Sequence, residues 1–111
     1  MIRAMSGLVL AVVLLFGAPA LAQPVGTFNV QGQDYQGTVT VTQTGATFNV
    51  AWTLGNERYR GLGMFMNGVL SVGYTGQGRS GLAIYRENAG AWEGTWAFIG
   101  EQEVHTERWT R

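Results

Sequence analysis

"YQGTVTVTQTGATFNVAWTL", residues 35–54, carries apolar side chains at every second position on both sides of a single glycine break. In the first half Tyr35, Gly37, Val39 and Val41 share one face, while Gln36, Thr38, Thr40 and Thr42 make the other a polar, β-branched row. In the second half Phe48, Val50, Trp52 and Leu54 form the cleanest apolar stripe of the chain. A period of two is the side-chain repeat of a β-strand, and one greasy face opposite one wet face is the signature of an antiparallel sheet covering a core. Thr44-Gly45-Ala46 turns the chain between the two, so the stretch predicts a pair of adjacent strands.

The same rhythm extends in both directions. "TFNVQG" precedes the stretch; "GNE", then "RYRGLGMFM", the pair Asn67-Gly68 and "VLSVGYT" follow it. Asn-Gly holds the positive φ angles of a two-residue hairpin, so the strands on its two sides pair. "GQGRS" leads to "GLAIYRE", "NAG" leads to "AWEGTWAFI", and "GEQ" leads to "EVHTERWT". The turn signals recur about every 8 to 12 residues, which is the spacing of sandwiches and barrels, and no segment has a helical period. The predicted class is all-β: an antiparallel up-and-down meander of about eight strands. Such a meander exposes two edges unless its first and last strands pair, so a small closed or nearly closed barrel is the economical solution, with a two-sheet sandwich as the alternative.

The first 22 residues belong to a different category. Arg3 is followed by the apolar run Leu8 to Phe16 and by "APALA", whose Ala20 and Ala22 are the small residues a signal peptidase needs. Nine apolar residues fall far short of the roughly 20 of a membrane span. Residues 1–22 therefore read as a secretory signal and residues 23–111 as one domain, with no membrane span after cleavage. The chain has no cysteine, so no disulfide framework or lipidated cysteine exists, and export points to a bacterial periplasm or medium.

Charge excludes further classes. The processed chain has six arginines, no lysine and seven acids, and a basic face able to release counterions from nucleic acid or an anionic membrane is missing. Catalysis finds little to work with: Ser71 and Ser80, one histidine, no cysteine and no nucleophile elbow. "GQGRSG" (residues 76–81) has the letters of a dinucleotide fingerprint, but a strand pattern follows it where a helix is required, so it reads as a hairpin loop. Glu103, His105 and Glu107 share one face of the last strand at a spacing too wide to converge on one ion unaided; they read as a solvated edge face. No cofactor, metal or catalytic residue is expected.

Two sets of residues remain as candidates. Trp92, Gly94, Trp96 and Phe98 face one way, so the indoles of Trp52, Trp92 and Trp96 gather on the inner wall, each burial worth a gross 4 to 6 kcal/mol at about 25 cal/mol/Å². Glycines at strand positions let bulky rings, tryptophans above all, lie against bare backbone. The interior is then either filled or hollow, and in the hollow case Trp52, Tyr59, Tyr74, Trp92 and Trp96 bind a small apolar ligand. The segment from Arg58 to Met66 is apolar on both faces: Tyr59, Gly61, Gly63 and Phe65 on one, Leu62, Met64 and Met66 on the other. Whichever set points outward leaves a patch for a protein or lipid, with Arg58 and Arg60 beside it to grip an anion. Arg58, Arg60, Leu62, Met64 and Met66 are the candidate partner-binding residues.

The succession "GTFNVQG…YQGTVTV…FNVAWTL…GLGMFMNGVLSVGY…GLAIYR…WEGTWAF…GEQE" resembles a group of small exported bacterial proteins often labelled fibronectin-binding or left uncharacterised. Gly100-Glu101-Gln102-Glu103 departs from the Gly-Thr-Glu-like turn typical of that group. The resemblance implies adhesion to a host matrix protein. The tryptophan-bearing meander is also similar to avidin-like and lipocalin-like barrels and to periplasmic barrels that inhibit proteases. The combined expectation is an exported, non-enzymatic binding protein that takes a small apolar ligand inside or a protein outside. An inhibitor of a periplasmic or secreted hydrolase and a purely structural envelope protein are the alternatives.

Overall fold

The computed structural model describes residues 22–111; the expected secretory segment lies outside the described residues, apart from Ala22. Eight strands follow one another: β1 (Gly26–Gly32), β2 (Gln36–Thr44), β3 (Thr47–Leu54), β4 (Glu57–Met66), β5 (Val69–Gly76), β6 (Arg79–Asn88), β7 (Ala91–Phe98) and β8 (His105–Thr110). Each pairs antiparallel with the next, and β1 pairs with β8 from Asn29↔Thr110 to Gly32↔Glu107, closing the barrel. Closure removes both sheet edges and excludes the two-sheet sandwich.

The turns explain why a strict meander forms. Five of the seven connections have two residues: 45–46, 55–56, 67–68, 77–78 and 89–90. Asn67-Gly68, Gln77-Gly78 and Ala89-Gly90 hold both central residues at positive φ, whereas Gly45 and Gly55 take positive φ at the first central position. These are the two turn geometries whose twist matches that of the flanking strands, so each of these five hairpins closes in register. The "GQGRSG" segment forms the β5–β6 hairpin, as its alternating surroundings require.

Parity along each strand sorts the side chains. Val39 and Val41 on β2, Phe48, Val50 and Trp52 on β3, and Leu70, Val72 and Tyr74 on β5 point inward and are buried. On β4 the ambiguity resolves with Tyr59, Gly61, Gly63 and Phe65 inside, leaving Leu62, Met64 and Met66 at 57%, 52% and 65% exposure. An eight-stranded barrel has a narrow interior, and Gly61 and Gly63 admit the side chains of Val72, Leu70 and Phe48 where β4's outward methionines could not fit. Register sets Leu62 and Leu82 on either side of Gly73, and Met64 and Ile84 on either side of Ser71, so the outer apolar patch spans β4 to β6.

Two sequence expectations change. The last strand is not a solvated face: Trp109 is fully buried and Glu107 is 6% exposed, because closure through β1 turns the inner parity of β8 into the barrel's centre. The glycines receive tyrosines rather than tryptophans. Gly32, Gly76, Gly81 and Gly94 lie against the rings of Tyr35, Tyr59, Tyr74 and Tyr85 respectively, so close that a Cβ at any of them strikes the ring.

Candidate ligand-binding cleft

The two ends of the barrel interior differ. At the end bearing the turns at residues 45–46, 67–68 and 89–90, Phe65 packs edge-on to Phe48 (6.2 Å, 82°) and to Trp92 (5.9 Å, 72°). Pro24, Phe28 and Leu70 are fully buried among the core, and Arg111 seals the corner by lying 4.5 Å over the Phe28 ring and donating to the Val25 carbonyl at 3.2 Å. That end is filled. At the opposite end lies a half-open cleft of about 690 Å³, lined by Tyr35, Trp52, Tyr59, Tyr74, Tyr85, Trp96 and Phe98, with Asp34, Asn56, Glu57 and Arg79 around its mouth.

Glu107 forms the floor of this cleft. Its Oε2 accepts from Trp52 Nε1 at 2.9 Å, Tyr85 Oη at 2.7 Å and Trp109 Nε1 at 2.7 Å; its Oε1 accepts from Tyr35 Oη at 2.5 Å. Trp96 Nε1 in turn donates to Tyr35 Oη at 2.8 Å. Burying an isolated carboxylate is prohibitive, and four donors from β2's approach, β3, β6 and β8 itself supply the compensation. A single side chain thereby ties four stretches of the barrel together through charge-assisted hydrogen bonds, each worth about 1.5 to 3 kcal/mol. Ring packing holds the donors in place: Tyr85 and Trp109 lie 4.1 Å apart at 33°, and Trp52 meets Trp109 at 6.3 Å and 69°.

The same carboxylate colours the electrostatics of the cleft. Burial, then Glu107, pushes the hydroxyls of Tyr35 and Tyr85 well above the ordinary tyrosine range. Burial, then the carboxylates of Glu101 and Glu107, does the same to Tyr74. Tyr59, nearer the mouth, is pushed up to about 12 by burial and by its 2.7 Å hydrogen bond to Glu57. The rim is organised by Glu101. Its Oε1 accepts the Phe98 N–H at 2.8 Å and its Oε2 lies 3.0 Å from His105 Nε2, contacts that lower its carboxyl in that order. His105 stacks on Trp96 at 4.4 Å, and Arg79 lies 3.7 Å over the Phe98 ring and 4.0 Å from Glu101.

Of the residues assigned to a ligand from sequence, Trp52, Tyr59, Tyr74 and Trp96 come together around the cleft, while Trp92 lies in the filled end. Arg58, Arg60, Leu62, Met64 and Met66 all point to solvent along the outside of β4. Among the described residues no three of His, Asp and Glu converge in a way that could hold a metal ion, and Glu107 is committed to its four donors. Sequence reasoning missed Glu107, Tyr35, Tyr85, Phe98 and Arg79. The signal for Glu107 was its parity with Trp109, two positions on, since an indole on a strand marks the inner face.

No protein-family model matches the chain, and no curated protein matches it. Solved structures do. Apo lipid binding protein 8 of Caenorhabditis elegans superposes with a TM-score of 0.55 at 9% identity, over 78% of this chain and 94% of that one. A fatty acid transporter designated REP1-NXSQ gives 0.57 at 6% identity over 78% and 94%. Human cRBP IV gives 0.54 at 11% identity over 81% and 98%. The likeness is one of fold, and it is the lipocalin-like barrel that this chain shares with them.

Proposed function

We propose that this chain is an exported, non-enzymatic binding protein that holds a small organic ligand with an apolar body in the half-open cleft above Glu107. The observation that carries the reading is the asymmetry of the interior. One end is packed solid by Phe48, Phe65 and Trp92, while the other keeps an aromatic-walled hollow of about 690 Å³. A barrel this small has enough aromatic side chains to fill itself, and a volume within the range of about 300 to 1,000 Å³ suits a drug-sized guest. Two structural neighbours, a lipid binding protein and a fatty acid transporter, support a ligand inside the barrel. The tyrosine hydroxyls of the cleft are spent on Glu107, Glu57 and the Ala97 carbonyl, and Glu107 is held by four donors, which favours holding a ligand over transforming it. Export, to a bacterial periplasm or medium, rests on the apolar run and the Ala20 and Ala22 cleavage signal, and the processed chain begins at Gln23.

The test is non-denaturing mass spectrometry of the natively purified chain, followed by titration with apolar compounds while the indole signals of Trp52 and Trp96 are read by NMR. A co-purifying small molecule, or saturable shifts of both indoles, is the expected result. Tyr59→Ala, which removes wall area at the mouth and only the Glu57 bond, weakens binding about tenfold or more. An empty spectrum together with unmoved indoles across the panel overturns the proposal. A second reading is favoured by one feature: Leu62, Met64, Met66, Leu82 and Ile84 form a contiguous exposed patch beside Arg58 and Arg60. A protein partner, the matrix ligand implied by the resemblance included, would dock there, and its capture would be abolished by Leu62→Asp with the cleft intact.

A further inference from the structure

Resting on the reading of the cleft as a ligand site, the chemistry of its lining defines what class of ligand enters. Every hydrogen-bond donor on its aromatic wall is already used within the protein. Tyr35, Tyr85 and the Trp52 indole donate to Glu107, the Trp96 indole donates to Tyr35, Tyr59 donates to Glu57 at 2.7 Å, and Tyr74 donates to the Ala97 carbonyl at 3.2 Å. What the wall still offers is the opposite kind of group. The rings of Tyr35, Tyr59 and Trp96 are only partly buried, the hydroxyl oxygens of Tyr59, Tyr74 and Tyr85 retain lone pairs, Glu107 Oε1 has accepted one donor, and Asp34 and Glu57 stand at the mouth. Against these three carboxylates the lining contains one cation, Arg79, which lies over the Phe98 ring and 4.0 Å from Glu101. Arg79 also demonstrates that a ring of this cleft accepts a positive charge on its face at 3.7 Å. Burial first, and then the carboxylates of Glu101 and Glu107, raise the Tyr74 hydroxyl, so the same acids act on the wall of the cleft.

We propose that the cleft selects organic ammonium compounds, with an apolar body against the rings and the cationic head among the ring faces and carboxylates, and that it rejects carboxylate ligands. A carboxylate head entering here meets Glu107, Glu57 and Asp34, finds no free hydroxyl or indole proton on the aromatic wall, and has Arg79 and Asn56 at the mouth to set against the three acids. An ammonium head meets π-faces and acceptors, the arrangement of an aromatic cage.

The experiment uses three probes with one body: (4-phenylbutyl)trimethylammonium, 4-phenylbutanol and 4-phenylbutanoate, each titrated into the chain at low salt with the Trp52 and Trp96 indole signals as readout. The expected result is that the ammonium binds about tenfold or more tightly than the carboxylate and more tightly than the alcohol, with the preference shrinking as salt is added. The paired variant Asp34→Asn, Glu57→Gln, which leaves the Glu107 network untouched, lowers the ammonium-to-alcohol affinity ratio several-fold. Binding of the carboxylate as tightly as the ammonium, or of the alcohol as tightly as the ammonium, overturns the selectivity while leaving the cleft a ligand site. Failure of all three probes to move either indole overturns the ligand site itself, and the selectivity with it.

Discussion

Replacing Glu107 by leucine keeps roughly the volume of the side chain and removes the only acceptor shared by four donors. The two indole N–H groups, of Trp52 and Trp109, are fixed by ring packing and cannot turn elsewhere. Each buried donor left without a partner costs about 1 to 3 kcal/mol, so the pair alone costs about 2 to 6 kcal/mol. The hydroxyls of Tyr35 and Tyr85 rotate and contribute less. A domain of this size has a total stability of roughly 4 to 13 kcal/mol, so Glu107→Leu brings the barrel close to unfolding. Glu107→Gln separates acceptor loss from charge loss. Its amide oxygen takes the place of Oε2 and keeps three donors, while its NH₂ faces Tyr35, whose oxygen already accepts from Trp96. The glutamine variant therefore loses about 1 to 3 kcal/mol, less than leucine. Urea unfolding followed by far-ultraviolet circular dichroism gives both values. Because replacing buried ionic groups by apolar ones sometimes stabilises a protein, the decisive outcome is the order. A leucine variant as stable as the parent chain, or more stable than the glutamine variant, refutes the assignment of Glu107 as the barrel's central acceptor.

Three other outcomes follow from the same geometry. Gly94→Ala drives a methyl group into the Tyr85 ring and off its bond to Glu107, costing about 1 to 3 kcal/mol, whereas Gly73→Ala, outward with open space around it, costs nothing measurable; thermal melts of the two compare them. The tyrosines Tyr35, Tyr59, Tyr74 and Tyr85 are all raised above their usual value, so their neutral forms stabilise the fold fully below about pH 10, and that contribution is lost as pH rises toward and beyond the value of about 12 held by Tyr59. The chain contains no lysine to titrate in that window, so a urea midpoint that stays constant from about pH 8 to 11.5 contradicts the tyrosine burial. Leu62→Gln and Met64→Gln change stability by less than about 0.5 kcal/mol, while Phe65→Gln, one position away on the inner face, loses several-fold more, which chemical denaturation of the three variants checks.

The barrel was legible because β-strand parity is a local property. Phe48, Val50, Trp52 and Leu54 declare their face within nine residues, and Asn67-Gly68 declares its turn within two. Closure was legible as the remedy for two exposed edges. What could not be read locally was the identity of the barrel's centre. Glu107 has the same charge as Glu103 four residues earlier, but Glu103 lies in the exposed connection before β8, and the pairing of β8 with both β1 and β7 makes Glu107 a buried acceptor. Its donors come from residues 35, 52, 85 and 109, a set that no sequence spacing connects. Likewise β4 offered two apolar faces, and the choice was made by its neighbours: Val72, Leu70 and Phe48 need the space that Gly61 and Gly63 provide. Trp92 went to the filled end instead of the cleft because its strand begins at the opposite rim, a matter of register across β6 and β7 that parity alone does not carry.

Hydrogen exchange of the four indole protons in the isotope-labelled chain addresses the buried acceptor most directly. The indole protons of Trp52 and Trp109, held by Glu107, should exchange only through global unfolding, and in Glu107→Gln at least one of them should shift strongly. If both exchange as quickly as a free indole in water, or keep their resonance positions when Glu107 is altered, no carboxylate lies at the heart of this barrel.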